Sequence, residues 1–231
     1  SMRDAPCGQA DCPIVEPGDI DRRSLLTQTL DPGTEWFRVS RTAHGTQLFA
    51  PPRSGNGRFS PLGARGHSYI AAQRSASLLE SALHEASGPN PRIYAATLQA
   101  YSLHRLRLND QVRLVDLRDG ALARLGLVRE QLTGTGGLHY PCTRLVAERI
   151  VGSKSSVGFV WTSRQGALHG DRNPDGLASE VLRHDSLDIA VLYSPDAAKA
   201  LDVIESEPLV SGTGPSRFVL ELANLLRIAI L

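Results

Sequence analysis

The spacing of apolar and polar positions along the chain predicts a mixture of helices and short strands. Apolar residues recur at helical spacing from Leu78 to Ala86, which predicts a helix over Arg74–Ala86. Similar spacing predicts further helices at Ile20–Thr29, Ala121–Leu127, Cys142–Ile150, Pro195–Ile204 and Ser216–Leu231.

Runs rich in β-branched and aromatic residues predict the strands. These are Trp36–Ser40, His67–Ala71, Arg92–Leu106, Gln111–Leu117, Ser156–Thr162 and Ile189–Tyr193. Stretches rich in glycine, proline or charge predict loops at Pro51–Gly63 and His169–Gly176. Because strands and helices mix without a regular strand–helix–strand repeat, we expect an α+β fold and not a doubly wound α/β fold.

The chain divides into a lead-in and a body. Residues 1–33 are rich in Pro, Gly and Asp, and we expect an irregular segment that packs on the body. Residues 34–231 are expected to form a single domain closed by a C-terminal helix over residues 216–231. The apolar stretch Phe218–Leu231 is a candidate interface for a homo-oligomer.

Charge and hydropathy exclude several functional classes. The 25 Lys+Arg residues nearly balance the 24 Asp+Glu residues, so we expect no direct contact with nucleic acid. The sequence has neither an apolar run long enough to span a bilayer nor the apolar core of a signal peptide at its N-terminus. We therefore expect no membrane association and a cytoplasmic location.

The three cysteines are Cys7, Cys12 and Cys142, too few for a disulfide framework and in keeping with a reducing compartment. Cys7 and Cys12 are candidate metal ligands, but no second Cys/His pair is recognised at zinc spacing. We interpret them as two thiols of the lead-in, and no metal is expected.

Residues suited to nucleotide chemistry are scattered along the chain. Arg38 lies in the first strand of the predicted body, Arg58 follows a glycine turn, and Tyr69 lies in the next strand. Glu80 falls inside the predicted helix at the edge of its apolar stripe, and Ser163 follows a late strand. Taken singly, each also suits a structural role, such as a surface charge or a half-buried aromatic.

Taken in order, these residues resemble the RES domain family, which is named for an arginine, a glutamate and a serine. The matching segments are Arg38, Gly57-Arg58, Tyr69–His84 and Trp161–Arg164. The spacing of Tyr69 and Glu80 fits the family pattern, and the resemblance covers roughly residues 35–195. The family's Trp-Asn after Gly-Arg is replaced here by Phe59-Ser60.

The resemblance implies a fold like that of ADP-ribosyltransferases, with a mixed, mainly antiparallel β core and flanking helices. It also implies a bacterial toxin that breaks the nicotinamide–ribose bond of NAD+ by hydrolysis or phosphorolysis. An antitoxin with an Xre-type helix-turn-helix domain would be its partner, and NAD+ would be a substrate with no further cofactor. Two alternatives stay open: transfer of ADP-ribose to a macromolecule, and a non-catalytic module that binds a nucleotide or a partner protein.

The chemistry of that bond assigns the candidate roles. Cleavage passes through an oxocarbenium-like state, whose positive charge the carboxylate of Glu80 would stabilise. Arg38 and Arg58 would hold the pyrophosphate, and Tyr69 would stack on the nicotinamide. Ser163 would either bind the substrate or orient Glu80. The predicted catalytic set is Glu80, Ser163 and Arg38, and the predicted NAD-binding set is Arg38, Arg58, Tyr69 and Ser163.

Overall fold

The computed structural model describes residues 5–84, 86, 90–164, 187–212 and 214–231. Its strands are β1 (Thr27–Leu30), β2 (Glu35–Arg41), β3 (His67–Ala71), β4 (Arg92–Ile93), β5 (Tyr101–Leu108), β6 (Val112–Asp116), β7 (Gly158–Thr162), β8 (Asp188–Tyr193), β9 (Leu201–Pro208), β10 (Val210–Ser211), β11 (Gly214–Pro215) and β12 (Ala229–Ile230). The α-helices within these residues are α1 (Arg74–Leu79), α2 (Ala95–Gln99), α3 (Asp119–Arg124), α4 (Tyr140–Ile150) and α5 (Arg217–Leu225). The predicted loop His169–Gly176 lies outside the described residues.

Eight strands form one sheet in the order β1-β6-β7-β8-β3-β2-β5-β9. Its described pairs are antiparallel except for β6 with β7, where Val115 lies opposite Phe159. Two small pairs, β10 with β11 and β4 with β12, lie outside this sheet. The expected α+β fold with a mainly antiparallel core is confirmed.

Both faces of the sheet are buried, and strand alternation assigns neighbouring residues to different cores. The larger core contains Val39 of β2 and the buried helix α1, with Leu78 and Leu79 fully enclosed. The smaller core contains Trp36 of β2 and Ile70 of β3. A side chain's position along a strand therefore decides which core, and which set of helices, it meets.

The lead-in contributes strand β1 to the main sheet. The helix predicted at Ile20–Thr29 is wrong, because Thr27–Leu30 pairs with β6 as an edge strand. Two β-branched threonines in four residues favour the strand, and β6 offers a free ladder of hydrogen-bonding groups.

Two other segments differ from their predictions. The single strand predicted over Arg92–Leu106 is divided into β4, α2 and β5, because Ala95–Gln99 forms a short helix of good helix formers. The helix predicted over Pro195–Ile204 is wrong, since β9 begins at Leu201 and pairs with β5. Long-range pairing with β5 decides the second case, and local periodicity does not show it.

The helix predicted over Arg74–Ala86 is real but ends early. Helix α1 stops at Leu79, and Glu80 is its C-cap instead of an interior residue. The hydroxyl of Ser81 donates to the carbonyl of Ser77 at 2.5 Å, in place of the backbone amide that a continuing helix would supply. Glu80 therefore lies at the C-terminal end of the helix and not in its interior.

The C-terminal helix is shorter than residues 216–231. Helix α5 begins after the N-cap Ser216 and ends at Leu225, and β12 follows. Its apolar side chains Val219, Leu222 and Ala223 lie in the larger core. Packing within the chain explains these buried positions, whereas Leu220 and Leu231 are exposed and the oligomer interface stays a prediction. No helix among the described residues is long and apolar enough to cross a bilayer.

The loop that carries Arg58 is held to the sheet by an aromatic cluster. Phe59 is fully buried, with its ring centroid 5.4 Å from that of Phe159 and 5.1 Å from that of Trp161. The hydroxyl of Tyr193 donates to the Phe59 carbonyl at 2.5 Å. Phe59-Ser60 stands where the family that the sequence resembles has Trp-Asn. The contacts of the Phe59 ring in the core accommodate this difference.

We predict that Phe59→Ala lowers the free energy of unfolding by about 3–5 kcal/mol, because it empties a packed aromatic site. The matched control Val128→Ala, at an exposed apolar residue, should change it by less than about 0.5 kcal/mol. Urea unfolding followed by circular dichroism measures both. Equal stability of the two variants would contradict the role of Phe59 in the core.

Candidate active site

Two segments that follow parallel strands meet at one edge of the sheet. Strands β3 and β7 both pair antiparallel with β8, so they run in the same direction. Helix α1 follows β3, and Ser163 follows β7, with its amide donating to the Leu187 carbonyl at 2.8 Å. This topology brings Glu80, at the end of α1, to Ser163.

The side chains of Glu80 and Ser163 are joined directly. The Ser163 hydroxyl donates to Oε1 of Glu80 at 2.5 Å, and Ser163 is fully buried. Glu80 itself is half-buried. Such a bond fixes the direction of a carboxylate without neutralising it.

Arg58 is a buried cation held by neutral acceptors. Its Nη1 donates to the Leu132 carbonyl at 3.2 Å and to Thr135 Oγ1 at 2.9 Å, and Nη2 donates to the Thr135 carbonyl at 2.7 Å. Its guanidinium carbon lies 5.0 Å from the ring centroid of Tyr140. Burial lowers the pKa of Arg58, while the nearby carboxylate of Glu80 acts in the opposite direction.

Tyr69 anchors the loop that presents Arg58. Its hydroxyl accepts from the Phe59 amide at 3.0 Å and shares a hydrogen bond with Ser60 Oγ at 3.1 Å. A Cβ at Gly57 would lie 2.5 Å from that hydroxyl, so only glycine allows this close approach. The ring packs edge-to-face against Trp161 with centroids 6.0 Å apart. Burial raises the pKa of Tyr69 to about 12, so the phenol stays protonated.

Arg38 is not brought into this group. Arg38 lies on β2, opposite His104 of β5, and shares a strand face with Trp36. Helix α1 packs on the other face of the sheet. Its described hydrogen bonds run from Nη1 to the Gln47 carbonyl at 3.3 Å and to Ser68 Oγ at 3.2 Å. Burial lowers its pKa to about 10. Strand alternation places Arg38 on the face of β2 away from α1, and its predicted role in the site stays a prediction.

Arg164 is a cation that the residue assignments missed. Its Nη1 lies 3.7 Å from the position that a Cβ on Gly136 would take, beside the residue that binds Arg58. The charge of Arg164 adds to burial in lowering the pKa of Arg58, so the two guanidinium groups lie close enough to repel. Its place directly after Ser163 was the available signal.

An ion-pair network fixes the strand ends beside Ser163. Arg118 forms a bidentate contact with Asp116 at the end of β6 and donates to Asp188 at the start of β8, at 3.1 Å. Hydrogen bonding to Asp116 is the main cause that raises the pKa of Arg118. The network ties the end of β6 to the start of β8, on the two sides of β7.

Cys7 and Cys12 are not two separate thiols of the lead-in. The fold brings Cys7 and Cys12 to Cys142, with the three sulfur atoms within 4.8 Å of one another. The sequence interpretation overlooked this cluster because its members come from opposite halves of the chain.

A surface concavity of about 530 Å³ beside Arg65 and Asp196 contains neither this cluster nor the predicted site residues.

Residues 35–209 match the RES domain, and the chain belongs to the RES domain family. A comparison with curated proteins found no significant match. Among solved structures, the chain is similar to a chain in the crystal structure of the M. tuberculosis MbcT–MbcA toxin–antitoxin complex. The TM-score is 0.53 at 16% identity, and the match covers 82% of this chain and 89% of that chain. This likeness supports the fold assignment.

Replacing Tyr69 by Phe should test its role as an anchor. The change keeps the ring but leaves the buried amide of Phe59 without its acceptor, so we expect a loss of about 1–3 kcal/mol of stability. Tyr94→Phe, at an exposed tyrosine, is the matched control and should be neutral. Thermal unfolding of both variants measures the difference, and an unchanged Tyr69→Phe protein would refute the anchor.

Acid should destabilise the protein through His67, next to Tyr69. Burial, with a smaller effect of Arg38, lowers the pKa of His67 from 6.5 to about 4. Below pH 6.5 the unfolded chain therefore takes up a proton that the folded chain refuses until about pH 4. Stability should fall as the pH is lowered through this window.

The variant His67→Gln should show a shallower fall of melting temperature between pH 6.5 and 4 than the wild type. His44→Gln, at an exposed histidine, should keep the wild-type slope. Parallel curves for the wild type and His67→Gln would show that this ring does not titrate as described.

Proposed function

We propose that this RES domain is a toxin that consumes NAD+ by cleaving the bond between nicotinamide and ribose. The observation that carries the proposal is the bond from the buried Ser163 hydroxyl to the Glu80 carboxylate. A carboxylate held in one direction, half-shielded from water and close to a buried cation, suits a site that stabilises developing positive charge on a sugar.

Glu80 is the proposed catalytic residue. When the bond to nicotinamide breaks, its electron pair leaves with the ring nitrogen, which becomes neutral, and positive charge develops on the ribose. The carboxylate stabilises that charge electrostatically and is not consumed. The bond from the Ser163 hydroxyl to Oε1 orients the Glu80 carboxylate, which we place beside the ribose hydroxyls. We therefore assign Ser163 as a positioning residue for Glu80.

The pyrophosphate needs cationic donors, and we assign them to Arg58 and Arg164. Arg58 is held in place by three hydrogen bonds to neutral acceptors, so its charge is not cancelled at close range by those partners. Arg164 supplies a second guanidinium nearby. An incoming anion would relieve the repulsion between these two cations. The predicted roles of Arg38 gain no support from its contacts with Gln47 and Ser68.

Tyr69 serves this site mainly through the loop that it holds. Its hydroxyl is hydrogen-bonded to the turn that follows Arg58, which leaves the ring little freedom to move onto a ligand. We retain nicotinamide stacking as a secondary role of the ring face.

An antitoxin is the proposed partner. Membership of the RES domain family and the similarity to a chain of a toxin–antitoxin complex support this assignment. We propose that the antitoxin carries an Xre-type helix-turn-helix domain and restrains the enzyme in the cytoplasm, where it would otherwise deplete NAD+.

We predict that Glu80→Gln lowers kcat for NAD+ loss by about 10²–10³-fold, with little change in KM, because the lost charge acts in the transition state. Glu148→Gln, at an exposed carboxylate of α4, should retain wild-type activity. Mass spectrometry of NAD+, nicotinamide and ADP-ribose, with and without phosphate, measures the rates and names the acceptor.

The outcomes separate the chemistry from the residue assignment. Wild-type protein that leaves NAD+ intact in both buffers would overturn the proposed function. A Glu80→Gln variant that works at the wild-type rate would overturn only the role of Glu80. Label from NAD+ on a macromolecule would replace degradation by ADP-ribose transfer.

A further inference from the structure

All three cysteines of the chain converge on one point. Cys7 and Cys12 lie in the N-terminal segment, and Cys142 lies in the first turn of α4. Their sulfur atoms lie within 4.8 Å of one another, although more than a hundred residues separate the two parts of the cluster. The chain has only three thiols, and their meeting at one point indicates a shared role.

A histidine completes the cluster. Nδ1 of His139, the N-cap of α4, lies 3.7 Å from Sγ of Cys7 and 3.5 Å from Sγ of Cys12. A tetrahedral zinc ion with bonds of about 2.3 Å to sulfur and about 2.05 Å to nitrogen would hold neighbouring sulfur and nitrogen atoms about 3.6 Å apart. The distances from Nδ1 of His139 to the two sulfur atoms, 3.7 Å and 3.5 Å, lie on either side of that value.

We propose that Cys7, Cys12, His139 and Cys142 form a structural Zn²⁺ site. Three thiolates and one imidazole are a ligand set that zinc prefers, and four protein ligands leave no open position for catalysis. A disulfide would join only two of the three sulfurs and would leave one thiol and the imidazole unexplained. Zinc uses all four groups.

The backbone around the ligands is shaped for this geometry. Gly8 has a positive φ of 69°, and its amide donates to the Ala5 carbonyl at 2.7 Å, which closes a tight turn around Cys7. His139 and Cys142 are three residues apart at the start of α4, so their side chains share one side of the helix end. A zinc–trithiolate group carries net negative charge, which the helix N-terminus favours.

The site would fasten the N-terminal segment to the part of the chain that holds Arg58. The residues that directly follow His139 and Cys142 both contact Arg58. Tyr140 places its ring against the guanidinium, and the Thr143 hydroxyl donates to the Arg58 carbonyl at 2.5 Å. The lead-in is also tied here by the Val15 amide, which donates to the Gln131 carbonyl at 3.1 Å. Zinc would therefore stabilise the cradle of Arg58 from outside the catalytic group.

Metal analysis of the full chain tests the proposal without any measurement of NAD+. Protein purified under reducing conditions and without chelator should contain about one zinc per chain by plasma mass spectrometry. His139→Ala and Cys12→Ser should lose most of that zinc, while His44→Ala, at an exposed histidine, should keep it. Cobalt bound in place of zinc should give the visible bands of tetrahedral coordination and a thiolate charge-transfer band.

Wild-type protein provides a test that does not depend on whether the variants fold. A chelator should lower its melting temperature by on the order of 10 °C and expose three thiols to a maleimide reagent. Added zinc should reverse both effects. Three reactive thiols before chelation, with no bound metal, would overturn the site, and so would a mass that reveals a disulfide. Stoichiometric iron instead of zinc would overturn the identity of the metal.

Discussion

The hydrogen bond from Ser163 to Glu80 joins two chain segments that lie 83 residues apart. It forms because β8 lies between β3 and β7, which sends the segments after both strands to the same edge. The early end of α1 at Leu79 then turns the carboxylate away from the helix. The rest of the candidate site is arranged around this contact: the core beneath it, the ion pairs beside it and the buried arginine facing it.

The second constraint is the burial of Arg58. A guanidinium removed from water must keep its hydrogen bonds, and here two carbonyls and a hydroxyl accept them. The ring of Tyr140 adds a cation–π contact. These partners all come from the segment between Leu132 and Tyr140. The loop and α4 are therefore coupled, and a metal at the start of α4 would rigidify the same cradle. The proposed catalytic site and the proposed metal site would thus share one stretch of backbone.

Much of the fold could be predicted from the sequence, because β2, β3, β7 and β8 are rich in β-branched and aromatic residues. The pieces that escaped, such as β1 and β9, form only when a partner strand is present. The pairing of Glu80 with Ser163 came from the family pattern, since no local spacing encodes a contact over 83 residues. The cysteine cluster was missed although its signal was present: His139 and Cys142 are a ligand pair at short spacing, distant from Cys7 and Cys12.

We propose that the carboxylate held by Ser163 faces the ribose whose bond is broken. A crystal structure of the Glu80→Gln variant with NAD+ would show this, because slow turnover would keep the dinucleotide intact. We expect the nicotinamide ribose within hydrogen-bonding distance of the side chain at position 80, with the pyrophosphate on Arg58 and Arg164. A dinucleotide bound elsewhere, or a side chain at position 80 turned away from the ribose, would contradict it.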